Sequence, residues 1–168
     1  LEALGERDAA AFRLDRAAYP KIVTPLALAE KQSIGTAAAE AAREPQNARK
    51  VLPYVRLLMS AGQYDQARQA IAPLVTGNDG VVDAQLLAGD VEMAAGNRAG
   101  AIAAYEKARK VALNEAVLGR LVAAYRGAEN ADAASQVIAE FLAYNPSSLL
   151  GQRLAAFDLI DRKLWDQA

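Results

Sequence analysis

One six-residue pattern occurs four times along this chain. Gly62-Gln63-Tyr64-Asp65-Gln66-Ala67 is echoed by Gly96-Asn97-Arg98-Ala99-Gly100-Ala101, then by Glu129-Asn130-Ala131-Asp132-Ala133-Ala134, and again by Lys163-Leu164-Trp165-Asp166-Gln167-Ala168. The steps are about 34, 33 and 34 residues. A period of that length belongs to arrays in which each unit buries its apolar side against the next, not to a single closed globule.

The apolar positions around these stretches have helical spacing. Val51, Tyr54, Val55 and Leu58 recur at i, i+3, i+4 and i+7, and Ala67, Ile71 and Leu74 form a second stripe after Gly62. The spacing therefore predicts a helix closed at Gly62, a tight turn, and a second helix opening at Tyr64-Asp65. In the second unit, from about Val82 to Asn114, the stripes are Leu87, Ala88, Val91, Ala94 and Ala95, then Ala101, Tyr105, Ala108 and Ala112. In the third they are Leu118, Leu121, Val122 and Tyr125, then Ala134, Ile138 and Phe141, ended by Asn145-Pro146-Ser147. The fourth unit starts near Leu149, reaches Leu159 and turns at Asp161-Arg162-Lys163.

The first 46 residues are less regular. Residues 1–18 have helical composition, Tyr19-Pro20 interrupts, and Thr24-Pro25 reads as an N-cap with proline in the first turn of a helix from about Leu26 to Arg43, weakened by Gly35. Residues 1–46 are expected to form a degenerate helical pair capping the array. Residues 47–168 divide into units at about 47–81, 82–114, 115–148 and 149–168, the last incomplete. Leu154, Phe157, Ile160 and Trp165 fall in that incomplete unit, which has no polar cap. The expectation is that the polypeptide continues, or that residues 149–168 pack on another copy.

Composition removes several function classes. Nineteen basic residues against twenty acidic ones give a net charge of -1, without the basic footprint of a nucleic-acid binder. There is no cysteine and no histidine, so thiolate ligands, disulfides, a thiol nucleophile and the commonest general base are missing, and no metal or cofactor is expected. No apolar run reaches the roughly 18 residues of a membrane span. Alanine, roughly a quarter of the chain, favours closely approaching helices. Cysteine usage leaves cytoplasm and periplasm equally open.

Residues 47–168 resemble the tetratricopeptide repeat (TPR). Leu87-Ala88-Gly89, Gly96, Ala101, Tyr105 and Ala108 carry the likeness in the second unit. Leu118, Leu121, Tyr125, Ala134, Ile138, Phe141 and Pro146 carry it in the third, and Trp165-Asp166-Gln167-Ala168 in the fourth. The resemblance implies an all-α fold of stacked antiparallel helix pairs, a right-handed α-solenoid, and a non-catalytic scaffold that binds a protein or peptide. There are departures. Gln85 and Glu92 replace large apolar residues. Pro53 and Pro73 predict a late start or kink and a bend or early end. Phe141 stands where alanine is usual, predicting helices pushed apart there.

In such an array the first helix of each pair lines a concave groove. The resemblance assigns to it Leu52, Arg56 and Met59; Leu86, Asp90 and Met93; Gly119, Ala123 and Arg126; and Arg153, Phe157 and Ile160. Methionine suits an adaptable surface, and Arg126 or Arg153 can meet acidic groups of an extended or helical peptide. Met59 and Met93 are more often simple interhelix packing, and Arg56 and Asp90, at equivalent positions, can pair with each other. The lysine and asparagine clamp that holds a C-terminal carboxylate in some TPR proteins is absent. Its positions here are Leu52, Arg56, Leu87, Ala116 and Arg120.

The other constellations read as ordinary surface. Asp83, Asp90 and Glu92 lack calcium-loop spacing and read as a solvated face; Gly96 to Gly100 lacks the ending of a phosphate loop; the serines have no activating partner. Arg98, Lys107, Arg109 and Lys110 make a modest basic patch, read as solvated or as facing an acidic partner. The function expected is therefore a binding scaffold, a segment of a larger bacterial protein. The alternatives are self-association through the last unit and an enzyme of unusual site.

Overall fold

The computed structural model of the chain describes residues 34–77 and 80–162. The described residues from Ala37 onward belong to one compact unit. Most of the expected helical pair over residues 1–46, and the turn at Lys163 to Ala168, lie outside the described residues. All the described secondary structure is helical: α1 (Ile34–Arg43), α2 (Ala48–Ser60), α3 (Tyr64–Gly77), α4 (Val82–Ala94), α5 (Arg98–Val111), α6 (Glu115–Gly127), α7 (Ala131–Tyr144) and α8 (Leu149–Asp161). Helices α2, α4, α6 and α8 open the successive pairs. From α2 onward each helix packs on the next, and the opening helices also touch one another, α2 on α4, α4 on α6 and α6 on α8. That contact makes the opening helices one contiguous layer.

The turns show why the sequence repeats. Gly62 and Gly96 have φ of 72° and 79°, and Glu129, at the equivalent place, has 58°. In each turn the next amide donates five residues back: Gln63 to the Leu58 carbonyl (2.9 Å), Asn97 to Glu92 (2.8 Å) and Asn130 to Tyr125 (2.9 Å). A left-handed residue with this bond closes a helix, because it satisfies carbonyls the helix leaves open. The same asparagines then start the next helix. Asn97 Oδ1 accepts from the Gly100 amide and Asn130 Oδ1 from Ala133, both at 3.1 Å. Asn114 caps α6 and Ser148 caps α8 in the same way.

Both prolines are tolerated. Helix α2 starts at Ala48, five residues before Pro53, and α3 continues from Pro73 to Gly77, which corrects the expected late start and early end. Pro53 and Pro73 are exposed, as are Arg49 and Gln69, whose carbonyls each lose an amide partner, so water can solvate the freed groups.

The core follows the stripes. Val55, Leu58, Leu74, Leu118, Leu121, Ala101 and Ala134 have no more than traces of exposure. Ala94, Ala95 and Ala112 are exposed instead, since they stand in or beside the turns. Glycines make the room that the two large aromatics need. A Cβ on Gly89 would lie 2.2 Å from Tyr105 Cε1, and one on Gly151 would lie 3.1 Å from Phe141 Cδ1. Phe141 is thus received by a glycine in the next pair.

Candidate functional site

The twelve positions assigned to the groove fall in three rows along the contiguous layer of opening helices. The first row is Leu52, Leu86, Gly119 and Arg153. Leu52 and Leu86 are only 8% and 5% exposed, so they sit in the seams between helices rather than on the surface. The second row is Arg56, Asp90, Ala123 and Phe157, and the third is Met59, Met93, Arg126 and Ile160. Met93, Phe157 and Ile160 are exposed at 36%, 49% and 37%, and Met59 is half-buried. Nothing lies within 4 Å of the point where a Gly119 Cβ would stand. The layer therefore has a shallow middle at Gly119 and Ala123, with sulfur and aromatic groups to either side. Arg56 and Arg153 are exposed and form no ion pair among the described residues.

Asp90 does not pair with Arg56. It accepts from Arg120 Nε (2.8 Å) and Nη2 (3.0 Å) and from the Tyr105 hydroxyl (2.7 Å). Arg120 is one helical turn closer to Asp90 along the adjacent opening helix than the repeat period would place it. The two-pronged guanidinium holds the carboxylate in one register. Glu92 is likewise not simply solvated. Arg68 on α3 grips it with Nε at 2.6 Å and Nη2 at 3.0 Å, and Asn97 adds a third bond at 2.8 Å.

Arg126 faces the last helix, not open solvent. Its Nη2 lies 3.8 Å from Asp158 and 3.7 Å from Asp161 and makes no hydrogen bond. Asp158, 8% exposed, accepts from Ser135 Oγ at 2.5 Å and pairs with Arg162 at 3.3 Å; Arg162 reaches Asp132 at 2.8 Å. On the other side of the array Arg109 bridges Glu106 and Glu140, and the Tyr125 hydroxyl donates to Glu106 at 2.8 Å.

Sequence reading missed Arg120, Tyr105, Ser135 and Asp158. A signal was present: Asp90 with Arg120, Asp132 with Arg162 and Arg109 with Glu140 are opposite charges separated by 30, 30 and 31 residues. That is one period less about one helical turn.

These contacts shift the groups that make them. Hydrogen bonding to Arg68 is the largest influence on Glu92 and holds its carboxyl below the usual range against the opposing effect of burial. Burial, and then the bond to Asp90, raises the Tyr105 hydroxyl well above its ordinary value. Burial and Glu106 push Tyr125 up to about 12. None of these groups is set up as an acid or base near neutral pH. Among the described residues no cluster of three or more acidic side chains is arranged to hold a metal ion, and no helix is long and apolar enough to cross a membrane.

No family model matches the sequence, and no curated protein matches it. Solved structures do. One crystal structure of the MamA protein superposes with a TM-score of 0.65 over 80% of this chain and 74% of its own, at 16% identity. A second crystal structure of MamA gives 0.66 over 79% and 78%, again at 16% identity. The fold is TPR-like. At that identity the likeness is one of architecture, an all-α solenoid of stacked pairs, and assigns no residue of the TPR-like array a role.

Proposed function

We propose that this TPR-like array is a non-catalytic scaffold whose layer of opening helices binds a segment of another polypeptide. The observation that carries the reading is the composition of that layer's open surface. Met93, Phe157 and Ile160 are exposed there, on the same layer as Arg56 and Arg153, which form no ion pair among the described residues. An apolar strip flanked by free guanidinium groups suits a peptide with apolar anchors and a nearby acidic residue. Arg126 is a weaker contributor than its position implied, because Asp158 and Asp161 already face it.

The test is affinity capture with the whole protein, repeated with Phe157→Ala and Arg56→Glu. Both side chains are exposed, so folding should survive. Loss of the same captured polypeptides from both variants supports the reading; undiminished capture by both removes it.

Self-association through α8 is a second reading. Tyr144 and Leu149, 84% and 76% exposed, add to Phe157 and Ile160 as large exposed apolar side chains on α7 and α8. Light scattering across a range of concentrations separates the two readings, since a mass that stays monomeric throughout eliminates self-association.

A further inference from the structure

The repeat register shows that two equivalent seams on the outer side of the array are closed differently. Between α5 and α7 the seam is spanned by charge: Arg109 reaches Glu106 and Glu140, and Tyr125 reaches Glu106. One period earlier, between α3 and α5, Ala72 stands at the place of Glu106, Val75 at that of Arg109 and Lys107 at that of Glu140. The bridge cannot form. In its place is a cavity of about 200 Å³ walled by Ala72, Val75 and Ala104 and floored on α4 by Gln85 and Ala88.

Two features of this cavity are not explained by packing. Gln85 is 1% exposed, whereas Val51 and Leu118, its equivalents in the neighbouring pairs, are apolar. The Gln85 Nε2 reaches the Val75 carbonyl only at 3.5 Å, and its Oε1 accepts no hydrogen bond among the described residues. At the rim, Lys107 and Lys110 are exposed and make no ion pair among the described residues; both border the adjoining hollow beside Thr76 and Val111. The seam thus offers a small apolar seat, a carboxamide oxygen that accepts no hydrogen bond among the described residues, and two ammonium groups at one end.

We propose that this outer seam is a second docking site, taking an extended acidic peptide segment of a partner. One apolar side chain of the segment enters the seat over Ala88 and Ala104. A backbone amide donates to Gln85 Oε1, and a carboxylate meets Lys107 and Lys110. It replaces in trans the acidic group that Glu106 supplies in cis in the next seam. The volume is below the range of pockets that hold cofactors or drug-sized molecules, which favours a single inserted side chain. The site opens between α3 and α5 with α4 as its floor, uses none of the residues proposed for the binding layer, and does not depend on that reading.

The experiment is a titration of the isotope-labelled chain, followed by NMR, with an acetylated and amidated tetrapeptide of two glutamates enclosing leucine and phenylalanine. The control peptide has lysines in place of glutamates. The expected result is saturable shifts of the Gln85 side-chain amide and the Ala88 and Ala104 backbone amides within the millimolar range, with the lysine peptide at least about tenfold weaker. Lys107→Glu should weaken binding. Ala72→Glu, at an exposed position, should also weaken it by placing a carboxylate where Glu106 stands one period later. Phe157→Ala should change nothing in this titration. Equal response to the lysine peptide, shifts confined to Met59, Met93 and Phe157, no saturable shift, or unchanged binding by Lys107→Glu would each overturn the proposal.

Discussion

Gly89→Ala and Gly119→Ala change the same residue type in the interiors of two equivalent helices, and the structure requires opposite outcomes. Alanine is better than glycine in a helix interior by about 1 kcal/mol. At Gly119 the new methyl meets nothing within 4 Å, so the full gain of about 1 kcal/mol is expected. At Gly89 the methyl would lie 2.2, 2.5 and 2.8 Å from three ring carbons of Tyr105, where ordinary contact begins near 3.4 Å. The ring cannot swing away freely: it is 2% exposed, and its hydroxyl is held 2.7 Å from Asp90. Overpacking of this kind costs about 1–3 kcal/mol, and a broken hydrogen bond about 1 more. After the helix gain is subtracted, a net loss of about 2 kcal/mol is expected for Gly89→Ala. Urea unfolding followed by far-UV circular dichroism measures both. The decisive measurement is Gly89→Ala in a Tyr105→Leu background, where the clash is gone and the substitution should become neutral or stabilising. If Gly89→Ala costs as much with leucine at 105 as with tyrosine, ring contact is not the reason for the glycine.

Two other outcomes follow from local chemistry. Glu129 holds a left-handed φ of 58° that Gly62 and Gly96 adopt without strain, so Glu129→Gly should raise stability by about 0.5–1 kcal/mol, read as a higher urea midpoint; an unchanged or lower midpoint contradicts this. Stability should also depend on pH at both extremes. The Glu92 carboxyl is depressed, so its contribution is present above its ordinary 4.5 and is lost as pH falls through the lower folded value; Glu92→Gln should flatten that part of the acid limb. Tyr105 and Tyr125 are raised, so their contributions are complete below pH 10 and decline above it, that of Tyr125 by about 12. Tyr105→Phe should shallow the alkaline decline, and a profile identical to the parent's would refute the assignment.

The sequence announced its helices because the turns are local. A left-handed glycine, an asparagine cap and a stripe of small residues act within a few positions, so the turn at Gly62 was read directly, while the caps Asn97 and Asn130 lay inside the repeated pattern without being singled out. The solvent-facing rows were less legible. Leu52 and Leu86 share a row with Arg153, but whether a row position is seam or surface depends on how closely the next helix approaches, which no single stripe encodes. Asp90 was matched with Arg56 because equivalent positions in adjacent pairs look like neighbours in a list. In space, the offset between adjacent opening helices brings Arg120 to it instead. Pro53 and Pro73 argued for a late start or kink and a bend or early end because sequence gives the lost hydrogen bond but not the exposure that makes the loss tolerable. Gln85 was visible as a departure, yet only the structure shows that nothing fills the space above it.

The distribution of charge gives the array a logic that net charge conceals. Seams lined by alanine and leucine are smooth, and dispersion alone distinguishes poorly between neighbouring registers. A two-pronged arginine–carboxylate pair has one good geometry, and Arg68 to Glu92 and Arg120 to Asp90 are such links between successive pairs; Arg109 to Glu140 and Arg162 to Asp132 add single-pronged ones. They are largely surface contacts and contribute little stability each, about 1 kcal/mol or less, so their role is alignment more than strength. Among the described residues a further set of charges forms no ion pair at all. Arg56 and Arg153 on the opening helices and Lys107 and Lys110 at the outer seam are among them. All four are positive. A partner reading either face is selected for carboxylates, even though the chain as a whole is slightly acidic, and moderate salt should weaken such binding without shifting the register of the helices.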